Sequence, residues 1–593
     1  MGLGNHCEIK NEIIDSMSFF RRKADYSGAY IDPNEILLDS KNLPNFNVHQ
    51  FEGRIEKPIK KSTTLILGSF FFILQITFLW KIGVLQVVRG QALRERSENN
   101  SLEHSIIFGS RGTIYDRNKV PLAWNEIPDD DNDWEQATSS DSMALNDFPL
   151  RKYTELPGFG HLLGYLNYPA KDTSGFFYKI DYEGKDGIEQ IYDSSLNGQM
   201  GLKIREVDAL SKIHSESVIE PPVPGKDIVL TIDSRLQKEM YRIISTTAVS
   251  SGFHAGAGVI MDVNTGEILA MTSYPEFSPQ ILTDGKDSKT INSYQKDTRT
   301  PYLDRAVSGL YTPGSIVKPF MALAALNENV ISPEKKILST GSISIPNPYF
   351  PDQPSVFKDW KAHGFVDMRD AIAVSSDVYF YAIGGGYKDQ KGIGIENIDN
   401  YAKLFGFAKK TGIDIGGEAE GVIPTPEWKK EHFDGSEWVL GDTYHTVIGQ
   451  YGFQVTPVQI VHSIGAIATK GTLVTPHVVA NSTISQKKIT EIPESDYDII
   501  HDGMRRSVLY GTAAALNVGT VNISGKTGTA ELGVKKDMVN SWVTGFFPSE
   551  KPRYAFVIVM ERGPVHYSQG GPSVMRSIVD WMGANTPEYF KSL

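Results

Sequence analysis

Between Lys61 and Lys81 the chain carries no charged residue, and most of Ser62 to Trp80 is apolar. As a helix, these roughly 19 residues extend about 28 Å, close to the thickness of one bilayer core. A helix buried on a soluble core keeps a polar stripe. Leu65-Ile66-Leu67 and Phe70-Phe71-Phe72-Ile73-Leu74 leave none, so the pattern predicts a membrane span over 62–85. A cleaved signal fits poorly, because the preceding tail is too long and no small-residue cleavage site follows. Arg54, Lys57, Lys60 and Lys61 precede the span, and Lys81, Arg89, Arg94 and Arg96 follow it. The basic-residue rule leans toward an inside N-terminus. Residues 1–61 then form a cytoplasmic tail, and everything after the span lies on the outer face of the membrane.

With 593 residues, 40% hydrophobic and 22% charged, the chain has ordinary globular composition and room for a large core. Its net charge of −12 argues against nucleic acid as a main partner. Cys7 is the single cysteine, which rules out an intrachain disulfide and a cysteine-based metal cluster. After the span, Gly90 to His104 reads as a polar helix, and Arg111 to Asn118 as a strand turning at Asp116 to Lys119. Pro128 to Asp147 is acidic and serine-rich, a loop by composition. Gly184 to Leu210 returns to structured sequence with several glycines. Pro221-Pro222-Val223-Pro224-Gly225 reads as a stiff linker, which sets a small domain over 86–225 apart from a large one over 226–593.

In the large domain, Asp233 is placed to cap a helix with the apolar stripe Leu236, Met240, Ile243 and Ile244. Gly256 to Met261 and Glu267 to Met271 read as a hairpin around Asn264-Thr265-Gly266, and Ser541 to Phe547 with Tyr554 to Met560 as a second strand pair. A last helix covers about Ser573 to Met582. Strands at both ends with helices between predict an α/β (α+β) fold, one antiparallel sheet covered by helices.

The chemistry points to Tyr311-Thr312-Pro313-Gly314-Ser315-Ile316-Val317-Lys318-Pro319-Phe320. A serine hydroxyl attacks poorly until a neighbouring base takes its proton. On a helix, a lysine three residues on can reach it. Pro313-Gly314 form the turn, Phe320 to Leu326 continue the helix, and Pro319 is tolerated in a first turn. The same Ser-x-x-Lys spacing recurs at Ser293–Lys296, Ser332–Lys335, Ser355–Lys358 and Ser485–Lys488. None of these combines the Pro-Gly turn with an apolar helix behind it.

Two patterns follow in order. Val374-Ser375-Ser376-Asp377 sets a serine and an acid two apart in an apolar helix-to-loop stretch. Ser524-Gly525-Lys526-Thr527-Gly528-Thr529 follows a strand-like run. Its lysine and hydroxyls suit a carboxylate, and its glycine lets a substrate backbone lie close. Lys410-Thr411-Gly412 is a copy that reads as the end of a helix, capped by Gly412.

Ser-x-x-Lys, Ser-x-Asn and Lys-Thr-Gly form the signature of penicillin-binding proteins and serine β-lactamases, which this chain resembles. Arg305-Ala306, Tyr311, Ile448-Gly449-Gln450, Val455-Thr456-Pro457 and Ile467-Ala468 extend the resemblance. Arg111 to Asn118, Gly187-Ile188-Glu189 and Tyr192 resemble the pedestal of the class B, monofunctional transpeptidases. Ser375-Ser376-Asp377, Asp359-Trp360 and Gly449-Gln450 resemble the elongation type, penicillin-binding protein 2, more than the division type.

The resemblance implies acyl transfer on peptidoglycan stem peptides without a cofactor, and acylation by β-lactams. Ser315 would be the nucleophile, Lys318 its base and Ser375 the relay to the leaving amine. The backbone N–H groups of Ser315 and Thr529 would hold the oxyanion. Lys526, Thr527, Gly528 and Thr529 would face the terminal carboxylate, and Asp377 completes the catalytic set. A SEDS-family glycosyltransferase is the implied membrane partner. Three departures stand out. Asp377 replaces the asparagine of most relatives, though elongation-type members also show an acid there, and an ionised carboxylate beside Lys318 favours the ammonium. Only a short acidic stretch separates Asn125 from Tyr153, where relatives have a larger pedestal head. Asp359 and His363 are present where some members bind metal, but Ser376 stands in place of a cysteine; the pair reads as a hydrogen bond, and no metal is expected. A D,D-carboxypeptidase or β-lactamase is the alternative enzyme, though a soluble hydrolase needs no anchor. A non-catalytic assembly scaffold would not need Ser315, Lys318 and Lys526 together.

Overall fold

The computed structural model describes residues 61–94, 102–126, 148–173, 177–207, 213–347, 350, 352–533 and 535–591. The expected tail over 1–61, apart from Lys61, and the acidic loop over 128–147 lie outside them. The chain divides into two units, Met1–Asn100 and Ser101–Leu593. In the first, Lys61–Gly83 is α-helical and Val84–Val88 continues it as a π-turn. No residue of that helix is buried, and its length and hydropathy suffice to cross a membrane. The helix expected over Gly90–His104 does not extend that far. Leu102–Ile107 is a strand, paired in register with Gly201–Val207 about a hundred residues away, a partner local polarity cannot reveal.

The second unit is built around a five-stranded antiparallel sheet. Its order is Ile268–Tyr274, Ala255–Asp262, Tyr554–Pro564, Met538–Phe547 and Ser524–Leu532, the last at an edge. Both faces are covered, and side chains alternate between two cores along each strand. Val259 and Val557 belong with Val461 and Ile464 of the helix Pro457–Ala468. Ile260 and Ile558 pack on the other face with Leu236, Met240 and Ile244 of the helix Ser234–Ser251 and with Val574 of Gly571–Asn585. Burying each such side chain contributes roughly 1.5–3 kcal/mol. Asp233 caps Ser234–Ser251 as expected, its carboxylate accepting from Arg235 N–H.

Two smaller sheets precede this core. One joins Leu102–Ile107, Gly201–Val207 and Ile213–Glu220. The other joins Ile228–Val229, Ile114–Tyr115, Pro121–Glu126 and Leu150–Tyr153. In the second, Ile228–Val229 pairs parallel with Ile114–Tyr115, so the segment after Pro221–Gly225 returns onto the pedestal sheet. Within Pro221–Gly225 itself, Val223 exchanges backbone hydrogen bonds with Gln199, and Gly225 N–H donates to Ser110 O. Asn125 lies opposite Arg151 across the short connection.

A buried charge cluster holds this pedestal together. Glu189, fully buried, accepts from Arg111 Nε at 2.6 Å and from Arg151 Nε at 2.8 Å. Arg111 also reaches Asp193 at 2.8 Å and Asn197 at 2.6 Å. Burial alone would raise the Glu189 carboxyl; the two guanidinium groups outweigh it and hold the group below its ordinary range. Farther on, Tyr192 OH donates to Asp414, whose carboxylate also accepts from Val478 and Val479 N–H.

Candidate active site

The nucleophile turn is a short 3₁₀ helix, Gly314–Val317, running directly into the α-helix Lys318–Asn327. Pro319 sits in the first turn, where no helical partner for its N–H is required. The turn is fixed from three sides. Tyr311 exchanges two backbone hydrogen bonds with Val455, Gly314 N–H donates to Gly449 O at 2.9 Å, and Trp542 Nε1 donates to Thr312 O at 3.0 Å. Gly449 has φ +76°, and a Cβ there would overlap the Gly314 carbonyl. Only glycine serves both demands. A Cβ on Gly528 would lie 2.8 Å from Pro313 O, so the edge strand passes close under the same turn.

Ser375 lies between the helices Met368–Ala373 and Asp377–Gly385. The segment leaves the first helix for a short turn, as expected, and then enters a second helix that was not expected. Ser376 caps the second helix, its hydroxyl accepting from Tyr379 N–H, and that bond favours starting a helix here. Ser375 has φ +58°, a left-handed backbone that costs a serine free energy and persists only where its surroundings impose it. Asp359 is the organiser. Its Oδ2 accepts from Ser376 Oγ at 2.9 Å, Val378 N–H at 3.0 Å and Ser339 Oγ at 3.2 Å. His363 Nε2 lies 3.4 Å from the other oxygen. Asp359 thus ties Ser339, Ser376 and the start of the second helix together, while His363 Nε2 is buried without a hydrogen-bond partner among the described residues.

The strand Ser524–Leu532 brings Lys526 to the same place. Ser375 Oγ accepts from Lys526 Nζ at 2.8 Å and lies 3.3 Å from Lys318 Nζ. Lys318 also donates to Ser375 O at 2.8 Å and to Asp377 Oδ1 at 2.6 Å. Both lysines are fully buried. Burial first, and then the Lys318 charge, lower the affinity of Lys526 for a proton well below that of an ordinary lysine; Asp377 partly offsets this.

A cavity of about 1130 Å³ opens over this cluster. Ser315, Ser375, Asp377, Thr527, Gly528 and Thr529 line it; Lys318 and Lys526 stand behind its wall. Ser315 is half-buried, and among the described residues its hydroxyl has no hydrogen-bond partner. Thr527 Oγ1 donates to Thr512 Oγ1 at 2.6 Å. Thr512 and the Trp542 indole carried no sequence signal; the indole acts across 230 residues of chain. Trp360, Gln450 and Tyr451 form more of the wall.

Of the remaining look-alikes, Ser355–Lys358 is a strand whose Lys358 lines this same cavity. Ser332 donates to Glu334 in an exposed turn. Lys410-Thr411-Gly412 lies in a loop six residues beyond the end of the helix Gly394–Leu404, and not at a helix end as expected. Thr411 and Gly412 are held there by Glu418, and Gly412 takes φ +83°.

Residues 256–580 match the penicillin binding protein transpeptidase domain, and residues 135–230 the penicillin-binding protein dimerisation domain. Peptidoglycan D,D-transpeptidase MrdA of Salmonella typhimurium (strain SL1344) is 27% identical over 590 residues, covering 84% of this chain and 92% of the relative. Helicobacter pylori PBP2, solved in complex with MreC, superposes with a TM-score of 0.67 at 27% identity, covering 82% of this chain and 99% of that one. Pseudomonas aeruginosa PBP2 in complex with WCK 5153 gives 0.63 at 29% identity, covering 82% and 98%.

Proposed function

The chain belongs to the penicillin-binding protein transpeptidases, in the class B, elongation-type group, and from that premise we propose how its residues divide the work of cross-linking. The enzyme is a serine-type peptidoglycan D,D-transpeptidase and a target of β-lactams. Ser315 attacks the carbonyl of the penultimate D-alanine. Its oxygen forms the new C–O bond, the terminal D-alanine leaves as an amine, and the amine of a second stem peptide resolves the ester. The observation that carries this assignment is the convergence on Ser375 Oγ of two buried lysines, directly behind a cavity that Ser315 lines. A proton leaving Ser315 passes through that cluster and returns to the departing amine. The backbone N–H groups of Ser315 and Thr529 hold the oxyanion, each contributing about 3–4 kcal/mol. Thr527 and Thr529 face the terminal carboxylate across Gly528, with Lys526 behind them.

We assign 1–61 to a cytoplasmic tail, 62–85 to the membrane span, 86–225 to the pedestal and 226–593 to the catalytic domain on the outer side of the inner membrane. A SEDS-family glycosyltransferase in that membrane supplies the glycan to be cross-linked. The Helicobacter pylori relative bound to MreC supports placing the protein in a wall-building assembly.

Uncross-linked glycan carrying pentapeptide stems gives the test. After digestion with a muramidase, the products are expected to be cross-linked dimers, one D-alanine being released per bond. Free tetrapeptide without dimer would contradict the assignment and indicate a carboxypeptidase.

A further inference from the structure

We propose that Glu561 is a positioning residue for the acyl transfer. Its carboxylate holds the Tyr311 hydroxyl from behind the site, and the Tyr311 and Trp542 rings carry that hold to the turn that presents Ser315. The inference rests on Ser315 being the nucleophile and deepens that assignment.

Tyr554–Pro564 is the central strand of the five, with a paired strand on each side. Alternation sends Val557 and Val559 into the core that also holds Tyr311, Ile316 and Trp542. Glu561 follows two residues on, and its contacts lie on that face. Its side chain is only 16% exposed. A charge so placed costs free energy unless it is paired. The strand is re-aimed at this point. Arg562 takes φ +51° and its N–H donates to Asn540 Oδ1 at 2.9 Å, where the register with the neighbouring strand shifts between Val539 and Ser541.

Two donors converge on Glu561 Oε2: Arg305 Nε at 2.7 Å and Tyr311 OH at 3.0 Å. Arg305 fixes the carboxylate. Its other N–H groups donate to Thr300 O at 3.2 Å, Leu303 O at 3.4 Å, Thr300 Oγ1 at 3.2 Å and Arg299 O, so every donor of the guanidinium is engaged. Tyr311 carries the constraint forward. Burial, and then the Glu561 charge, keep its hydroxyl protonated and donating. Its ring meets the Trp542 ring edge-on at 5.9 Å, and Trp542 Nε1 donates to Thr312 O at 3.0 Å. Thr312 opens the turn that carries Ser315. The Ser315 hydroxyl makes no hydrogen bond among the described residues, so its place is set by the turn beneath it.

Acyl transfer needs the serine oxygen in a near-attack position, and a displacement of about 1 Å caused far from the chemistry can cost about 10²-fold in rate. Neither Glu561 nor Tyr311 lines the cavity, so neither touches the substrate. Their effect must therefore fall on the rate of bond formation and not on how tightly a ligand is first bound.

Full-length protein in detergent is treated with penicillin G at rising concentration, and adduct formation is followed by intact mass. The binding constant of the first complex and the maximal acylation rate are read separately. Wild type, Tyr311→Phe, Glu561→Ala, the double variant and Ser315→Ala are compared, each below its melting range. The maximal rate is expected to fall roughly 10-fold in Tyr311→Phe and on the order of 10²-fold in Glu561→Ala, with the binding constant within ~2-fold of wild type. The double variant should acylate no more slowly than Glu561→Ala, because both substitutions break the same bond. Tyr311→Phe removes a single oxygen and strands no buried donor, so it decides the matter if Glu561→Ala does not fold. A folded Tyr311→Phe with a maximal rate within ~3-fold of wild type, or a loss confined to the binding constant, would overturn the proposal. Losses that multiply in the double variant would overturn it too. Adduct persisting in Ser315→Ala would overturn the nucleophile assignment instead.

Discussion

Ser315→Ala is expected to lower cross-linking by on the order of 10⁴–10⁶-fold, the range seen when a serine nucleophile is removed from an acyl-transfer site. The loss should come without unfolding. The Ser315 hydroxyl makes no hydrogen bond among the described residues, and the turn is held by Tyr311, Gly314 and Thr312 through their backbones. Removing one half-buried oxygen therefore leaves no partner stranded, and the change in stability should stay below about 1 kcal/mol. Ser332→Ala is the matched control. Its hydroxyl bonds Glu334 in an exposed turn, and activity should be unchanged. Cross-linking is read as muropeptide dimers from a defined glycan, with folding followed by thermal melting. Residual activity in Ser315→Ala within tenfold of wild type would contradict the assignment.

Glu189→Ala is expected to destabilise the fold by about 3–5 kcal/mol, the loss typical of leaving a buried charge without its partner. Two guanidinium groups share this one carboxylate, and all three side chains are fully buried. Arg111 would retain Asp193 and Asn197, but Arg151 would keep no carboxylate, and its NH2 already lacks a hydrogen-bond partner. The sign with pH follows from the lowered carboxyl. A group that binds its proton less readily when folded stabilises at pH values above its unfolded pKa, about 4.3 for a glutamate, and loses that contribution as pH falls toward the lower folded value. Denaturant unfolding of wild type and variant at neutral pH should therefore differ widely, and the gap should narrow on acidification. A difference below about 1 kcal/mol at neutral pH would contradict this account.

What was legible in the sequence was what local pattern encodes. The charge-free run after Lys61 forces a helix because no residue within it requires water. Gly256–Met261 and Tyr554–Met560 were legible as strands because each is an apolar run, as strands covered on both faces are; the charged ends Asp262, Glu561 and Arg562 were not. Ser315 stood out from four look-alikes because its turn and its helix are adjacent in sequence. The failures are long-range. Leu102–Ile107 is a strand because of a partner near residue 204, and its own polarity suggested a helix. The Trp542 indole holds Thr312 from 230 residues away. The resemblance set Asp359 beside His363 and Ser376, but nothing near it announced that it would also gather Ser339 and the Val378 N–H. Asp377 lies between these cases. Its identity flagged a contact with Lys318, and the two side chains lie 2.6 Å apart, but the bonds of Lys318 to Ser375 had no local signal.

The most direct measurement is the site of the penicillin adduct on the wild-type protein. Full-length enzyme is labelled in detergent, digested, and mapped by tandem mass spectrometry. The account predicts one adduct per chain, in the peptide spanning Tyr311 to Phe320, on Ser315. An adduct on another serine, or none on a folded chain, would contradict it.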